Sequence, residues 1–304
     1  MNIVMNHPPR LKEFEAAVTL SATVAADSLS VHPLANSHER EVLAFLAERP
    51  LHTVVMAGHI RDNRLESPFN RGTFHACRNG AGQLEGVALI GHATLVEARS
   101  EAALAAFARL AQTCPQAHLM MGEQEKIERF WRYYASVGQI PRRVCRELLL
   151  EQRWPVEACE AVEELRLATL DDLEPVMQIQ AEMAHAESGI NPLMVDPLGF
   201  RMRCARRIEQ ERVWVWTQSE RLIFKADVIS DTPHVIYLEG IHVNPQDRGL
   251  GYGARCMSQL GRTLLKRTGS LCILVNEQSL RARTFFERCG YKLRGCYDTV
   301  FLEQ

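Results

Sequence analysis

Ile241-His242-Val243-Asn244-Pro245-Gln246-Asp247-Arg248-Gly249-Leu250-Gly251-Tyr252-Gly253-Ala254 is the stretch that decides how this chain folds. An alternating run from Val235 to Val243 predicts a strand that ends at Pro245. A turn then delivers Gly249, Gly251 and Gly253. Beyond them Ala254, Met257, Leu260, Gly261, Leu264 and Leu265 fall at the spacing of one buried helical stripe. A strand, a glycine-rich turn and a helix leave a row of unpaired backbone N–H groups at the positive end of the helix dipole. Glycines let the backbone curl closely round a bound group, and Arg248 adds a cation, which suits a pyrophosphate. A plain helix-capping turn would need one glycine at most. Gly249-x-Gly251-x-x-Ala254 formally fits a dinucleotide-binding fingerprint, but Asn244 to Arg248 separate it from the strand. Too few residues follow Ala254 to complete such a sheet.

Residues Val243-x-Pro245 and Arg248-x-x-Gly251-x-Gly253, with a strand before and a helix after, resemble the coenzyme A loop of the GNAT superfamily of N-acyltransferases. Further on, Val275-Asn276-Glu277, Ala282-Arg283 and Gly290-Tyr291 are similar to a second segment of that family. The likeness covers about residues 163–304, with both motifs in the family's order. It implies that the backbone of Ile241 and Val243 pairs with the pantetheine arm of an acyl-CoA. It also implies that the amides of Gly249, Leu250, Gly251, Tyr252, Gly253 and Ala254, with Arg248, hold the pyrophosphate. Asn276, Ser279, Ala282 and Phe286 would line the arm from the neighbouring strand and helix.

Gly240 interrupts a strong strand pattern, as glycines at β-bulges do. A bulge there would open a slot beside the strand, and Gly240 and Ile241 would present a backbone N–H to the thioester carbonyl. Two family positions are filled differently. Ser279 replaces an Asn and remains able to cap a helix, and Phe286 replaces the Tyr that often protonates the departing thiolate. A base matters more than an acid. An amine of pKa ~10.4 is almost wholly protonated at neutral pH, a handicap of roughly 4–5 kcal/mol. Glu239 is the candidate general base, and His242, lying between Ile241 and Val243, is the alternative.

Outward from the loop, the expected elements are a strand over 163–167, helices over 171–187 and 197–210, and a strand over 213–218. A hairpin of 221–230 and 234–244, a helix over 252–268, a strand over 271–276, a helix over 279–289 and a hairpin-like pair over 291–303 follow. That order predicts an α/β mixed sheet, mostly antiparallel, with helices on both faces. Arg201, Arg203, Arg206, Arg207 and Arg212 make a basic run, and Trp214 and Trp216 share a strand face.

The same plan is written earlier in the chain. Leu150-Glu151-Gln152 recurs as Leu302-Glu303-Gln304, and Phe130-Trp131 before Gly138 matches Phe285-Phe286 before Gly290. The first copy has no phosphate loop. Between a strand over Leu84–His92 and a helix near Ser100, Ala93 to Arg99 contains no glycine, and Glu97 would face the phosphates. This half resembles the degenerate N-terminal halves of two-part bacterial acetyltransferases. The expected organisation is an extension over 1–27, a degenerate GNAT-like domain over 28–152, a linker over 153–162 and an acyl-CoA-binding domain over 163–304.

At 304 residues with a net charge of -2, the chain carries no overall pull towards nucleic acid, and no run is long enough to span a membrane. Its nine cysteines lie at neither zinc-site nor redox-pair spacing, so no metal is expected and a cytoplasmic location is. The activity implied by the resemblance is N-acyl transfer, in the first instance N-acetyl transfer from acetyl-CoA, by direct attack of a small-molecule or peptide amine in a ternary complex. The alternatives are a non-catalytic acyl-CoA sensor, or a tandem GNAT transferase using an aminoacyl or longer acyl donor. Tandem halves that mimic a dimer would let the chain work as a monomer.

Overall fold

The computed structural model describes residues 29–157, 160–219 and 221–303, so the expected extension over 1–27 lies outside the described residues. Two compact units divide the chain. One contains the described residues through Glu147 together with those from Gly295 onward, and the other is Leu148–Arg294.

The first unit contains β1 (Ser30–Pro33), α1 (Glu39–Leu46), α2 (Pro50–Asn63), β2 (Gly72–Arg78), β3 (Leu84–Gly91) and β4 (Ala93–Ala98). It continues through α3 (Glu101–Gln112), β5 (Leu119–Glu123), α4 (Gln124–Tyr134) and the first part of β6 (Pro141–Gln152). Strands β1 to β4 are antiparallel, whereas β4 and β5 run parallel and pair only at Ala93↔Leu119 and Thr94↔Met120. Alternation along β2 and β3 sends Phe74, Val87 and Leu89 to one face with α1 and α2, and Cys77, Ala88 and Ile90 to the other with α3 and α4. Ala103, Phe107, Ala108 and Ala111 repeat at helical spacing along α3, and Ser100 caps the helix by accepting from the Ala103 amide.

The second unit contains β7 (Arg166–Leu167), α5 (Leu173–Ser188), α6 (Pro192–Val195), α7 (Pro197–Glu209), β8 (Val213–Gln218) and β9 (Arg221–Asp231). Then come β10 (Val235–Val243), α8 (Tyr252–Leu264), β11 (Ser270–Asn276), α9 (Leu280–Arg288) and β12 (Lys292–Leu302). Its strand order is β6-β11-β10-β9-β8-β7, antiparallel from β10 to β7 and parallel between β10 and β11. Val213 and Val215 pack with Val176, Met177, Phe200, Cys204 and Ile208 of α5 and α7, so this face of the sheet belongs to those helices. Trp216 turns the other way, its ring 4.7 Å from that of Tyr252 on α8. Each unit is a mixed α/β sheet flanked by helices, as the element order predicted.

The sequence misplaced two features. Residues 291–303 are not a hairpin but one continuous strand, β12, whose antiparallel partner is β5, with Tyr297 opposite Glu123. The domain limits 28–152 and 163–304 change accordingly. The part of β12 from Gly295 belongs to the first unit, where Arg146 bonds Asp298 at 3.0 Å and Thr299 donates to Glu147 at 2.8 Å. The part of β6 from Leu148 belongs to the second, where Glu151 accepts from Arg294 at 2.7 Å and Gln152 donates to the Cys289 carbonyl at 2.8 Å. The second correction concerns residues 93–99. Ala93–Ala98 form strand β4, and buried Glu97 faces cations rather than a phosphate position.

Candidate active site

Three glycines shape the turn into α8, each for its own reason. Gly249 (φ +86°) and Gly251 (φ +81°) adopt left-handed backbone that strains any L side chain, although a Cβ at either would meet no atom within 4 Å. Gly253 is needed for closeness, because a Cβ there would lie 2.9 Å from Val243 Cγ2 and 3.2 Å from the Phe285 ring. Gly251 is the N-cap of α8 and no side chain caps the helix. The Arg255 amide bonds back to the Gly251 carbonyl, and the amides before it have no such bond within the helix. Arg248, Gly249, Leu250 and Gly251 are exposed, so side chains do not fill the bend. The Arg248 Nε donates to the Val243 carbonyl at 3.0 Å, which keeps the cation at the strand end.

Strand β10 opens from its neighbour beside this loop. Pairing with β11 runs from Val235↔Ser270 to Leu238↔Ile273 and stops, although the strands continue to Val243 and Asn276. On the other side, Glu239 pairs with Asp227 and the next pair is His242 with Lys225, so β10 carries one extra residue. That is a bulge at Gly240, where φ is +61°. Ile241 and Val243 lie on the opened part of the strand.

Register places Asp227 opposite Val213 and Lys225 opposite Val215, hence on the α5–α7 face. There Lys225 and Asp227, 0% and 1% exposed, form an ion pair at 2.6 Å. Arg207 of α7 donates to Asp227 at 2.9 Å, and Gln180 of α5 accepts from Lys225 at 2.8 Å. Glu239 stands beside them, open to solvent yet set among enough protein to be partly desolvated. That desolvation raises its pKa, Asp227 adds repulsion, and Arg207, Lys225 and a Tyr237 hydrogen bond oppose the rise. The His242 pKa falls to about 4, chiefly through burial and then through Arg248 and Lys225, while its buried Nε2 has no hydrogen-bond partner among the described residues.

Asn276 ends β11, its side chain accepting from the Gln278 amide at 2.9 Å. Ser279 is the N-cap residue of α9, but its side chain makes no capping bond, and its carbonyl accepts the first helical bond from the Arg283 amide. Ala282 is half-buried on that helix. Phe286 is buried, with ring centroids 4.9 Å from Phe285 and 5.7 Å from Tyr291. Tyr291 sits in the core, as its position suggested. In the basic run, Arg201 pairs with Glu174 and Arg203 with Asp196. Sequence reasoning missed the cluster around Lys225, whose signal was two charges alternating inside the apolar run Leu222–Val228.

The corresponding strand ends in the first unit are bridged. Arg49 bonds Glu97 on β4 at 3.1 Å and Glu123 at the end of β5 at 2.6 Å. Lys126 bonds the same carboxylates at 2.7 and 3.1 Å. Desolvation is the largest influence on Glu123 and would raise its pKa, but Arg49, Lys126 and His52 together bring it down to about 2.

Residues 209–293 match the acetyltransferase (GNAT) domain family. No curated protein matches the chain in sequence. Among solved structures, an acetyltransferase of the GNAT family from Colwellia psychrerythraea is 10% identical, with 91% of this chain and 100% of that one covered at a TM-score of 0.56. A tandem GNAT protein from the clavulanic acid biosynthesis pathway is 13% identical, covers 91% and 99%, and has a TM-score of 0.58. A Drosophila protein is 12% identical, covers 90% and 98%, and has a TM-score of 0.68. At such identities the structures share the fold. The family assignment therefore rests on residues 209–293, which carry an acetyltransferase (GNAT) domain.

Proposed function

We propose that the Leu148–Arg294 unit is an N-acyltransferase that moves an acyl group, in the first instance acetyl, from acyl-CoA to an amine. One observation carries this reading: the opened edge of β10 and the exposed, uncapped start of α8 meet at the same strand end. The donor supplies a thioester and a diphosphate. Amides from Gly249 to Ala254 and the Arg248 cation suit the diphosphate, and the unpaired edge at Ile241 and Val243 suits an extended amide-bearing arm. Asn276, Ser279, Ala282 and Phe286 form the facing wall. Glu239, with its raised pKa, takes the proton of the acceptor amine, directly or through water. The amine then attacks the thioester carbonyl, held by an amide at the Gly240–Ile241 bulge; the C–S bond breaks as the amide forms, coenzyme A leaves as a thiolate that takes its proton from water, and no bond to the enzyme forms.

The first unit has the fold without the pocket, because its strand ends are tied by Arg49 and Lys126 and its α3 begins at a serine cap. With both sheets in one chain, the working form is a monomer. The test is to incubate the protein with acetyl-CoA and a panel of small and peptide amines and to follow free thiol. Amine-dependent thiol release is expected. Tight acetyl-CoA binding without release from any acceptor would support the sensor reading, which buried Phe286 favours because it has no proton to give. Release from longer acyl donors only would shift the donor class.

A further inference from the structure

A buried ion pair in a sheet interior rarely repays its desolvation, so the Lys225–Asp227 pair calls for another reason to exist. Lys225 is fully buried and its ammonium has three donors. It donates to Gln180 Oε1 at 2.8 Å and to the Gly240 carbonyl at 3.3 Å, and it forms an ion pair with Asp227 Oδ1 at 2.6 Å. Gln180 and Asp227 fix the ammonium between β9 and α5. The bond to the Gly240 carbonyl takes hold of the bulge itself. Gly240 has a φ of +61°, and a Cβ there would lie 2.7 Å from Lys225 Nζ, so the glycine lets the ammonium sit close to the bulge.

The peptide joining Gly240 to Ile241 is trans and planar, so its N–H points opposite to its C=O. The carbonyl is drawn towards an ammonium rooted in β9. The Ile241 N–H therefore faces away from that ammonium, on the stretch of β10 where pairing with β11 has ended. A cation on the carbonyl also polarises the peptide and makes its N–H a stronger donor. We infer that Lys225 is a positioning residue that aims and sharpens the Ile241 amide as the donor to the acyl carbonyl. This rests on the acyl-CoA reading of the site. Lys225 touches neither donor nor acceptor; it acts through one peptide plane.

The experiment uses the full chain and acetyl-CoA labelled with ¹³C at the thioester carbonyl, whose infrared band falls in frequency when the oxygen accepts a hydrogen bond. The wild type is expected to lower that band on binding. Lys225→Met is expected to return it towards the free value and to lower kcat about tenfold to a hundredfold. Affinity for coenzyme A itself, which has no acyl carbonyl, should stay unchanged. A purely structural role would weaken coenzyme A binding and leave the band shifted in whatever fraction still binds. Should Lys225→Met fail to fold, the double variant Lys225→Met/Asp227→Asn removes both charges together and is read in the same way. A variant that binds acetyl-CoA with a wild-type band and wild-type kcat overturns the role of Lys225 and leaves the site reading intact. A wild type that binds no acetyl-CoA overturns the site reading itself.

Discussion

Glu239 and His242 stand three positions apart on one bulged strand, yet the surroundings push their protonation in ways that separate them. Desolvation lifts Glu239 above the ordinary carboxylate value of 4.5, and the same influence lowers His242 to about 4. A general base works when deprotonated, so activity is lost as pH falls through its pKa. If Glu239 is that base, the acid limb of kcat/KM lies above the ordinary carboxylate value, and Glu239→Gln removes it with a fall of about a hundredfold. A pH–rate profile of both forms checks this. A limb near His242's value, abolished by His242→Gln and untouched by Glu239→Gln, would transfer the role to the histidine. At this scale the glycine loop was legible because its chemistry is local: Gly249 and Gly251 answer to their own φ angles. The bulge at Gly240 was legible for the same reason. The charged cluster beside Glu239 was not, because Gln180 of α5 meets Lys225 and Arg207 of α7 meets Asp227 only once the sheet has folded. Ser279 shows the converse, a residue of capping type whose side chain does not cap.

Strand β12 is where local pattern and folded structure diverge most. Its residues alternate through Gly295 without a turn, and its partners lie far back in the chain, so the sequence could be read as a hairpin. From Tyr297 onward it is buried, with Val300, Phe301 and Leu302 at 0%, 3% and 4% exposure. Each such side chain contributes roughly 1.5–3 kcal/mol on burial, so losing them together rivals a typical domain's margin of about 5–15 kcal/mol. A chain ended at Arg294 would also strip Arg146 of Asp298. Hydrogen exchange should therefore show lost protection over Leu119–Glu123 and the first part of β6 in that truncation. Unchanged protection there would mean that β12 is not integral to the first unit.

The repeated plan of the whole chain was legible in its echoing segments, and both units are mixed α/β sheets. Which strand completes which unit was not legible, for a physical reason. The segments that close with Leu150-Glu151-Gln152 and Leu302-Glu303-Gln304 are so similar in sequence that neither prescribes its own place. Difference between the halves lies instead in how the parallel strand pair ends. In the second unit it opens onto bare helix amides; in the first, Arg49 and Lys126 tie Glu97 to Glu123. Calorimetric titration of coenzyme A into the full chain tests that contrast most directly. One molecule should bind per chain, and Gly251→Val, which forces a β-branched side chain into left-handed backbone, should weaken binding at least about tenfold while the protein stays folded. Two bound molecules per chain, or an affinity that Gly251→Val leaves unchanged, would contradict the account.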